Sequence, residues 1–148
     1  MPVLDVADLR PVTVRPGDTV QDAVGRMVDQ NVGSVAVCEG TRLVGIFTER
    51  NVLRLASQGA RFDDLSVQEV MTTQLVTVGP DDDIVAVAHL MGERRIRHVP
   101  VLEGENLVGI VGIRDVLGVL AEMLWKAHDE DAHETVRELL TRPPRSVS

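Results

Sequence analysis

The sequence Val-Thr-Val-Arg-Pro at residues 12–16 returns as Val-Thr-Val-Gly-Pro at residues 76–80, an offset of 64 positions. The offset continues without a gap, because Leu-Val-Gly-Ile at residues 43–46 returns at residues 107–110. From residue 12 to residue 55, 17 of 44 positions are identical to the position 64 residues later. Average residue usage predicts about three such identities by chance. The chain therefore contains an internal duplication.

Each copy has the pattern of a βαββα unit. In the first copy, residues 12–14 predict a short β-branched strand, followed by an amphipathic helix that Asp18 caps and that ends near Asn31. Two nearly continuous apolar runs, residues 35–38 and 43–47, predict strands buried on both faces and joined by a hairpin turn.

A second helix is predicted to start near Glu49, and the second copy repeats the whole pattern. Its predicted strands are 76–78, 99–102 and 107–111, and its predicted helices run from 83 to about 95 and onward from about 114.

Apolar residues at helical spacing continue from Leu117 to Leu140, which predicts a long C-terminal helix or a helix pair. Pro143 and Pro144 end that pattern, so residues 142–148 are predicted to be a frayed tail. We expect four parts, which are a first unit with the N-terminal segment (1–57), a linker (58–66), a second unit (67–126) and an acidic helical extension with the tail (127–148).

Composition argues against several classes of partner. The chain has 23 acidic and 15 basic residues, a formal charge of −8, and only 2% aromatic residues, so binding to nucleic acid is not expected. No apolar stretch approaches the roughly 18 residues of a membrane span, and no membrane partner is expected. The lone Cys38 lies in an apolar run and predicts a reduced, packed thiol, so we expect a cytoplasmic protein without disulfides.

The repeated motifs resemble the cystathionine beta-synthase (CBS) domain. In the first copy the similar stretches are Gly-Ser-Val-Ala-Val at 33–37 and Leu-Val-Gly-Ile-Phe-Thr-Glu-Arg-Asn at 43–51. In the second copy they include Val-Met-Thr at 70–72 and Arg-His-Val-Pro-Val at 97–101, and the resemblance covers residues 12–120. It implies an α/β (α+β) CBS pair, in which two βαββα units are related by a pseudo-two-fold axis with two clefts between them. Such pairs bind AMP, ADP, ATP or related adenosyl compounds without catalysis, need no other cofactor, and commonly dimerise.

The ribose-binding motif of this family, Gly-x-x-Thr-x-x-Asp, is split between the copies. The first copy keeps Thr48 but has Asn51 at the acidic position, whereas the second keeps Asp115 but has Gly112 in place of the threonine. A carboxylate can accept hydrogen bonds from both ribose hydroxyls, so the resemblance favours ribose contact for Asp115. For Asn51 this contact and its absence stay open, and helix capping is the alternative for Thr48 and Asp115.

Cationic residues cluster at the start of the second predicted strand of the second copy, residues 99–102. The resemblance places Arg97 and His98 near ligand phosphates, and the planar guanidinium group suits phosphate. The alternative is a surface cluster, since Arg94 and Arg95 end a helix and would suit its dipole. Arg114 is a further candidate contact, for which the alternative is an ion pair between the copies.

An adenine ring in such a cleft would have to lie between aliphatic side chains, because aromatic residues are almost absent. Backbone groups of strands 12–14 and 76–78 would read its edge, and the resemblance implies that each site combines base contacts from one copy with the ribose acid of the other. The predicted ligand contacts are therefore Thr13, Val14, Val35, Thr48, Asn51, Thr77, Val78, Arg97, His98, Val99, Pro100, Ile110, Arg114 and Asp115.

Other kinds of function have weaker support. His128 and His133 are five residues apart, so they do not share a helix face, and no metal site is expected. No phosphate loop and no assembly of nucleophile and base is present, so we expect no enzyme. The alternatives to an AMP, ADP or ATP sensor are a scaffold with degenerate clefts, a binder of S-adenosylmethionine, NADH or a dinucleotide, and a metal-dependent enzyme using residues 128–134. Expected partners are a second copy, bound through the CBS helices, and a regulated protein that the sequence does not identify.

Overall fold

The computed structural model describes residues 1–127 and 130–141. In this part of the chain five strands form one sheet in the order β1-β2-β3-β5-β4. The strands are β1 Thr13–Val14, β2 Ser34–Glu39, β3 Arg42–Thr48, β4 His98–Glu103 and β5 Asn106–Gly112. The helices are a 3-10 helix Val3–Asp5, α1 Val20–Gln30, α2 Glu49–Ser57, α3 Val67–Val70, α4 Ile84–Arg94, α5 Ile113–Lys126 and α6 Glu130–Thr141.

The predicted α+β class and the duplicated unit are confirmed. The β2–β3 hairpin pairs Ser34 with Thr48, and the β4–β5 hairpin pairs His98 with Gly112, which are the same positions shifted by 64. The two hairpins meet at one antiparallel backbone pairing, Arg42 with Asn106. The pseudo-two-fold axis therefore passes between β3 and β5.

The strand predicted at residues 76–78 does not form. Only Val78 makes an isolated parallel bridge to β4. In the first copy, the N–H of Ala36 donates to the carbonyl of Val12 at 3.0 Å and extends the pairing of β1 with β2. The counterpart of Ala36 is Pro100, which has no N–H to donate, so the second copy cannot make this bond.

The cap predicted for α1 is also corrected. The hydroxyl of Thr19, and not the carboxylate of Asp18, accepts a hydrogen bond from the N–H of Asp22 at 3.0 Å. Asp18 instead accepts from the N–H of Arg15 at 2.9 Å and closes the preceding turn. The predicted end of α1 is confirmed, since Asn31 terminates the helix in the left-handed conformation with φ 53°.

Each copy has its own hydrophobic core, which a residue from the other copy completes. Val3 is fully buried in the core of the second copy, and Val67, its counterpart 64 residues later, is fully buried in the core of the first. The N–H of Val3 donates to the carbonyl of Asp82 at 2.7 Å, and that of Val67 to the carbonyl of Asp18 at 2.8 Å. The copies therefore exchange their first helical segments, and the repeat extends back to residue 3.

Several remaining predictions concern the rest of the chain. α5 and α6 form the predicted C-terminal helix pair, whereas His128 and the predicted tail 142–148 lie outside the described residues. Cys38 is buried, as predicted, and burial raises the pKa of its thiol. No helix in the described ranges is long and apolar enough to cross a membrane. Those ranges also contain no group of three His, Cys, Asp or Glu side chains that could hold a metal ion.

Candidate functional site

A cleft of about 450 Å³ opens where the two copies meet. This volume lies within the roughly 300–1,000 Å³ usual for small-molecule sites. Its apolar walls are formed by Pro11, Val12, Val32, Ile110 and Ile113, and its titratable side chains are Asp8, Glu49, Arg97, His98, Arg114 and Asp115. A second depression, of about 370 Å³ along α1, is lined only by polar side chains and Gly25 and offers no apolar wall. The cleft between the copies is therefore the candidate site.

Asp115 is the third residue of α5 and lies in the wall of this cleft. Within the described ranges, no hydrogen bond or ion pair joins its carboxylate to another residue. Gly112 precedes α5 as its N-cap and makes no side-chain capping bond. The capping alternative for Asp115 therefore does not apply, and both carboxylate oxygens can accept hydrogen bonds from a ligand.

Asn51, the counterpart of Asp115, is used inside the protein. Its side-chain oxygen accepts hydrogen bonds from the backbone N–H of Thr48 at 2.9 Å and from the Thr48 hydroxyl at 3.1 Å. Its amide nitrogen donates to the hydroxyl of Thr72 at 3.5 Å, and the residue is only 9% exposed. Thr48 and Asn51 form a capping box at the start of α2, which favours the capping alternative for Thr48 and the absence of ribose contact for Asn51.

The two glycines that open the ribose motif have a packing role. A Cβ atom on Gly109 would lie 2.9 Å from the backbone oxygen of Asp8, and one on Gly45 would collide with the side chain of Met71. The segment that precedes each copy crosses the sheet at these points, because Asp8 pairs with Ile110 and Thr72 pairs with Ile46. A larger residue at position 109 would push the backbone of Asp8, which lines the cleft, away from the sheet.

The basic residues at the start of β4 divide into two groups. Arg97, His98 and Arg114 line the cleft, whereas Arg94 and Arg95, at the end of α4, do not. Burial lowers the pKa of His98 below its usual 6.5, while the nearby carboxylates of Glu49 and Asp115 oppose this shift and the charge of Arg97 adds to it. His98 is therefore neutral at pH 7, and the full positive charges on the cleft wall are those of the two arginines.

Glu49 was not predicted as a site residue, although it lines the cleft at the first position of α2. A Cβ atom on Gly33 would lie 3.1 Å from the Oε1 atom of Glu49 and 3.2 Å from the Cε1 atom of His98, so both side chains converge on this glycine. The counterpart of Glu49 is Ile113. This replacement of an apolar residue by an acid at equivalent positions is the sequence signal that could have identified Glu49.

The described fold agrees with the comparisons to known proteins. The family model for the CBS domain matches residues 3–58 and 67–122. The chain belongs to the CBS-domain family. The CBS domain-containing protein YhcV of Bacillus subtilis is 37% identical over 115 residues, which are 77% of this chain and 81% of that protein. Both matched ranges are offset by 64 residues, as in the duplication found from the sequence.

Solved structures show the same CBS-pair fold. The CBS-domain containing protein ATU1752 from Agrobacterium tumefaciens is 32% identical with a TM-score of 0.72, and the match covers 80% of this chain and 98% of that one. The CBS domain pair of protein MJ0100, solved in complex with 5′-methylthioadenosine and S-adenosyl-L-methionine, is 24% identical with a TM-score of 0.76. That match covers 83% of this chain and 98% of the other, and at this identity it shows the fold alone. A CBS pair is a regulatory ligand-binding module.

The adenine contacts predicted for this CBS pair are only partly placed at the cleft. Ile110 lines it, but Val35 and Val99 have no exposed surface, and Val14 and Val78 are also buried in the cores of the two copies. The side chains of Val35 and Val99 pack in the two cores, away from the cleft wall, whereas the backbone contacts predicted for Val14 and Val78 stay a prediction.

The other predicted adenine contacts, Thr13, Thr77 and Pro100, are not among the residues that line the cleft. Thr13 and Thr77 are exposed, Pro100 is buried in β4, and the carbonyl of Thr13 accepts a hydrogen bond from Arg26 at 2.7 Å. However, Val12 of the first copy shares the cleft with Asp115 of the second. This is the combination of opposite copies that the resemblance implied.

Proposed function

We propose that this CBS pair is a non-catalytic sensor that binds one adenosine-containing nucleotide in the cleft lined by Asp115. The observation that carries the proposal is the unpaired Asp115 carboxylate in a cleft that also contains two arginine side chains. The Asp115 carboxylate is exposed to the cleft and accepts only from donors, and the vicinal hydroxyls of a ribose are two such donors on one ligand.

The remaining walls fit the other parts of a nucleotide. Val12, Val32 and Ile110 offer aliphatic surface on which a base can lie flat without an aromatic partner. Arg97 and Arg114 supply planar guanidinium groups for a phosphate. MJ0100 is a fold neighbour whose CBS pair was solved with adenosyl compounds, but the proposal for this chain rests on the groups in its own cleft.

The cleft also explains how occupancy would be transmitted. Its walls come from both copies, and between their hairpins the backbone pairing is limited to Arg42 with Asn106. A ligand that contacts both copies favours the relative pose in which its contacts are best, and so shifts the population of poses. A regulated partner would read this shift. The buried, reduced Cys38 fits a reducing compartment such as the cytoplasm.

The helices that carry the copies offer a surface for a second protomer. Leu117 on α5 is 57% exposed and Leu53 on α2 is 73% exposed, and these positions are equivalent in the two copies. Large apolar side chains exposed at related positions favour a symmetric contact. We therefore expect a homodimer formed through the CBS helices.

Calorimetric titration of the full chain with AMP and with 2′-deoxy-AMP tests the proposed ligand. AMP should saturate one site per chain, and the deoxy compound should bind about tenfold more weakly because one donor to Asp115 is lost. Equal affinities would contradict the ribose contact. If neither nucleotide, S-adenosylmethionine, NADH nor a dinucleotide binds at millimolar concentration, the proposal is wrong and the scaffold alternative is favoured.

A further inference from the structure

We infer that Glu49 makes the Asp115 cleft selective for adenine nucleosides that carry at most one phosphate on the 5′ oxygen, and against di- and triphosphates. The inference rests on the proposed function, because it concerns the ligand of the same cleft. It assigns to Glu49 a role in specificity that the ribose motif does not contain.

The position of Glu49 places its charge beside the cationic part of the cleft. The carboxylate of Glu49 and the imidazole of His98 both approach the position that a Cβ atom on Gly33 would occupy, at 3.1 and 3.2 Å. Both members of two repeat-related pairs, Gly33 with Arg97 and Glu49 with Ile113, line the cleft. Residues of both copies therefore meet in this part of the cleft. Here Glu49 and Arg97 lie close to His98.

The charges on the cleft wall do not favour a polyphosphate. Arg97 and Arg114 carry two positive charges, while Asp8, Glu49 and Asp115 carry three negative ones. His98 adds no full charge at pH 7, since burial lowers its pKa. In the described part of the chain no ion pair neutralises Glu49. The two arginines can match one phosphate group, but they leave no cation for a second or third.

A longer phosphate chain would bring further negative charge next to the Glu49 carboxylate. Like charges at short range repel one another, and because the Glu49 side chain is exposed to solvent, this repulsion weakens as salt is added. Proteins discriminate against a competing ligand by such a repulsive group as well as by attractive contacts. An acid in the first turn of α2 also interacts favourably with the helix dipole. The experiment therefore has to separate repulsion of the ligand by Glu49 from loss of this helix interaction.

The separating variants are Glu49→Gln and Asp22→Asn. Each removes one negative charge from the first turn of a helix, but Asp22 lies on α1 and does not line the cleft. AMP and ATP are titrated into the wild type and both variants by calorimetry in buffer without divalent cations, which would otherwise neutralise the phosphates. Thermal unfolding of each variant shows whether it is folded.

In the wild type, ATP should bind at least about tenfold more weakly than AMP. Glu49→Gln should reduce this ratio about tenfold, mainly by strengthening ATP binding, while Asp22→Asn should leave it unchanged. If wild type binds ATP as tightly as AMP, or if Glu49→Gln leaves the ratio unchanged, the selectivity inference is wrong while the proposed function stands. If neither AMP nor any other adenosyl compound binds the wild type, the proposed function fails and the inference fails with it.

Discussion

The side chain of Asn51 closes a capping box at the start of α2, whereas Asp115, its counterpart 64 residues later, has no hydrogen-bond partner among the described residues and lies in the wall of the cleft. The difference follows from the residues three positions earlier. Thr48 offers a hydroxyl and a backbone N–H to Asn51, while Gly112 offers no side chain to Asp115. One copy therefore uses this position for the fold, and the other keeps it available for a ligand.

Of these two residues, Asn51 should matter more for stability and Asp115 more for ligand binding. Asn51→Ala removes the hydrogen bonds with Thr48 and should lower the free energy of unfolding by about 1 to 2 kcal/mol. Asp115→Ala breaks no such bond and should cost less than half as much. Urea denaturation measures both. Equal losses of stability would show that Asp115 is also a structural residue.

The exchanged helical segments make a second prediction about stability. Val3→Ala and Val67→Ala each open a cavity in the core of the opposite copy, so each should lower the free energy of unfolding by about 2 kcal/mol. Val28→Ala on α1 is the control, since Val28 is 73% exposed. Thermal or urea unfolding compares the three variants. A Val3→Ala variant as stable as the control would mean that the N-terminal segment is dispensable for the second core.

Most of the fold could be predicted because the duplication doubles every local signal. The two hairpins follow from a short apolar pattern that occurs twice. Single helix signals predict the end of α1 at Asn31 and the start of α4 after Asp83. The strand at residues 76–78 could not be predicted correctly from its own β-branched residues. Its pairing depends on a donor in another strand, and Pro100 removes that donor.

The cleft was harder to predict than the fold. A strand that is apolar on both faces does not show which face meets the helices, so Val35 and Val99 were assigned to the ligand although both lie in the cores. Ile110 was assigned correctly to the cleft wall by the same argument. Glu49 is hard to predict as a site residue because an acid in the first turn of a helix is common, and its difference from Ile113 acquires meaning only beside its approach to Gly33.

The buried imidazole of His98 predicts a dependence of stability on pH. Because the folded pKa lies below the 6.5 of the unfolded chain, acidification below 6.5 protonates the unfolded state first. Stability should therefore fall as pH decreases from 6.5 toward the folded pKa, with Glu49 and Asp115 partly opposing the effect and Arg97 adding to it. We expect His98→Gln to flatten this part of the profile.

The control for this experiment is His89→Gln, because His89 is exposed on α4. Chemical denaturation at a series of pH values between 5 and 8 compares both variants with the wild type. The control should keep the wild-type slope. A His98→Gln variant with the wild-type slope would assign the acid sensitivity to other groups.

The exposed apolar residues of α2 and α5 predict a homodimer. Light scattering of the wild type should give twice the mass of the 16.2 kDa chain. Leu117→Glu with Leu53→Glu should shift the protein toward monomer, because each places a charge on a surface that must become dry. Val85→Glu on α4 is a control at a third exposed apolar site. A wild-type mass equal to one chain at all concentrations would contradict the proposed contact.

The affinity of AMP for Asp115→Ala and for Asn51→Ala, measured by calorimetry beside the wild type, tests most directly whether the ligand site is the cleft of the free carboxylate. Asp115→Ala should weaken AMP binding at least about tenfold, because hydrogen bonds to a charged acceptor are lost. Asn51→Ala should change the affinity less than about threefold, since its amide is already engaged by Thr48 and Thr72. If AMP binds Asp115→Ala as tightly as the wild type, the carboxylate does not hold the ribose and the cleft is not the nucleotide site.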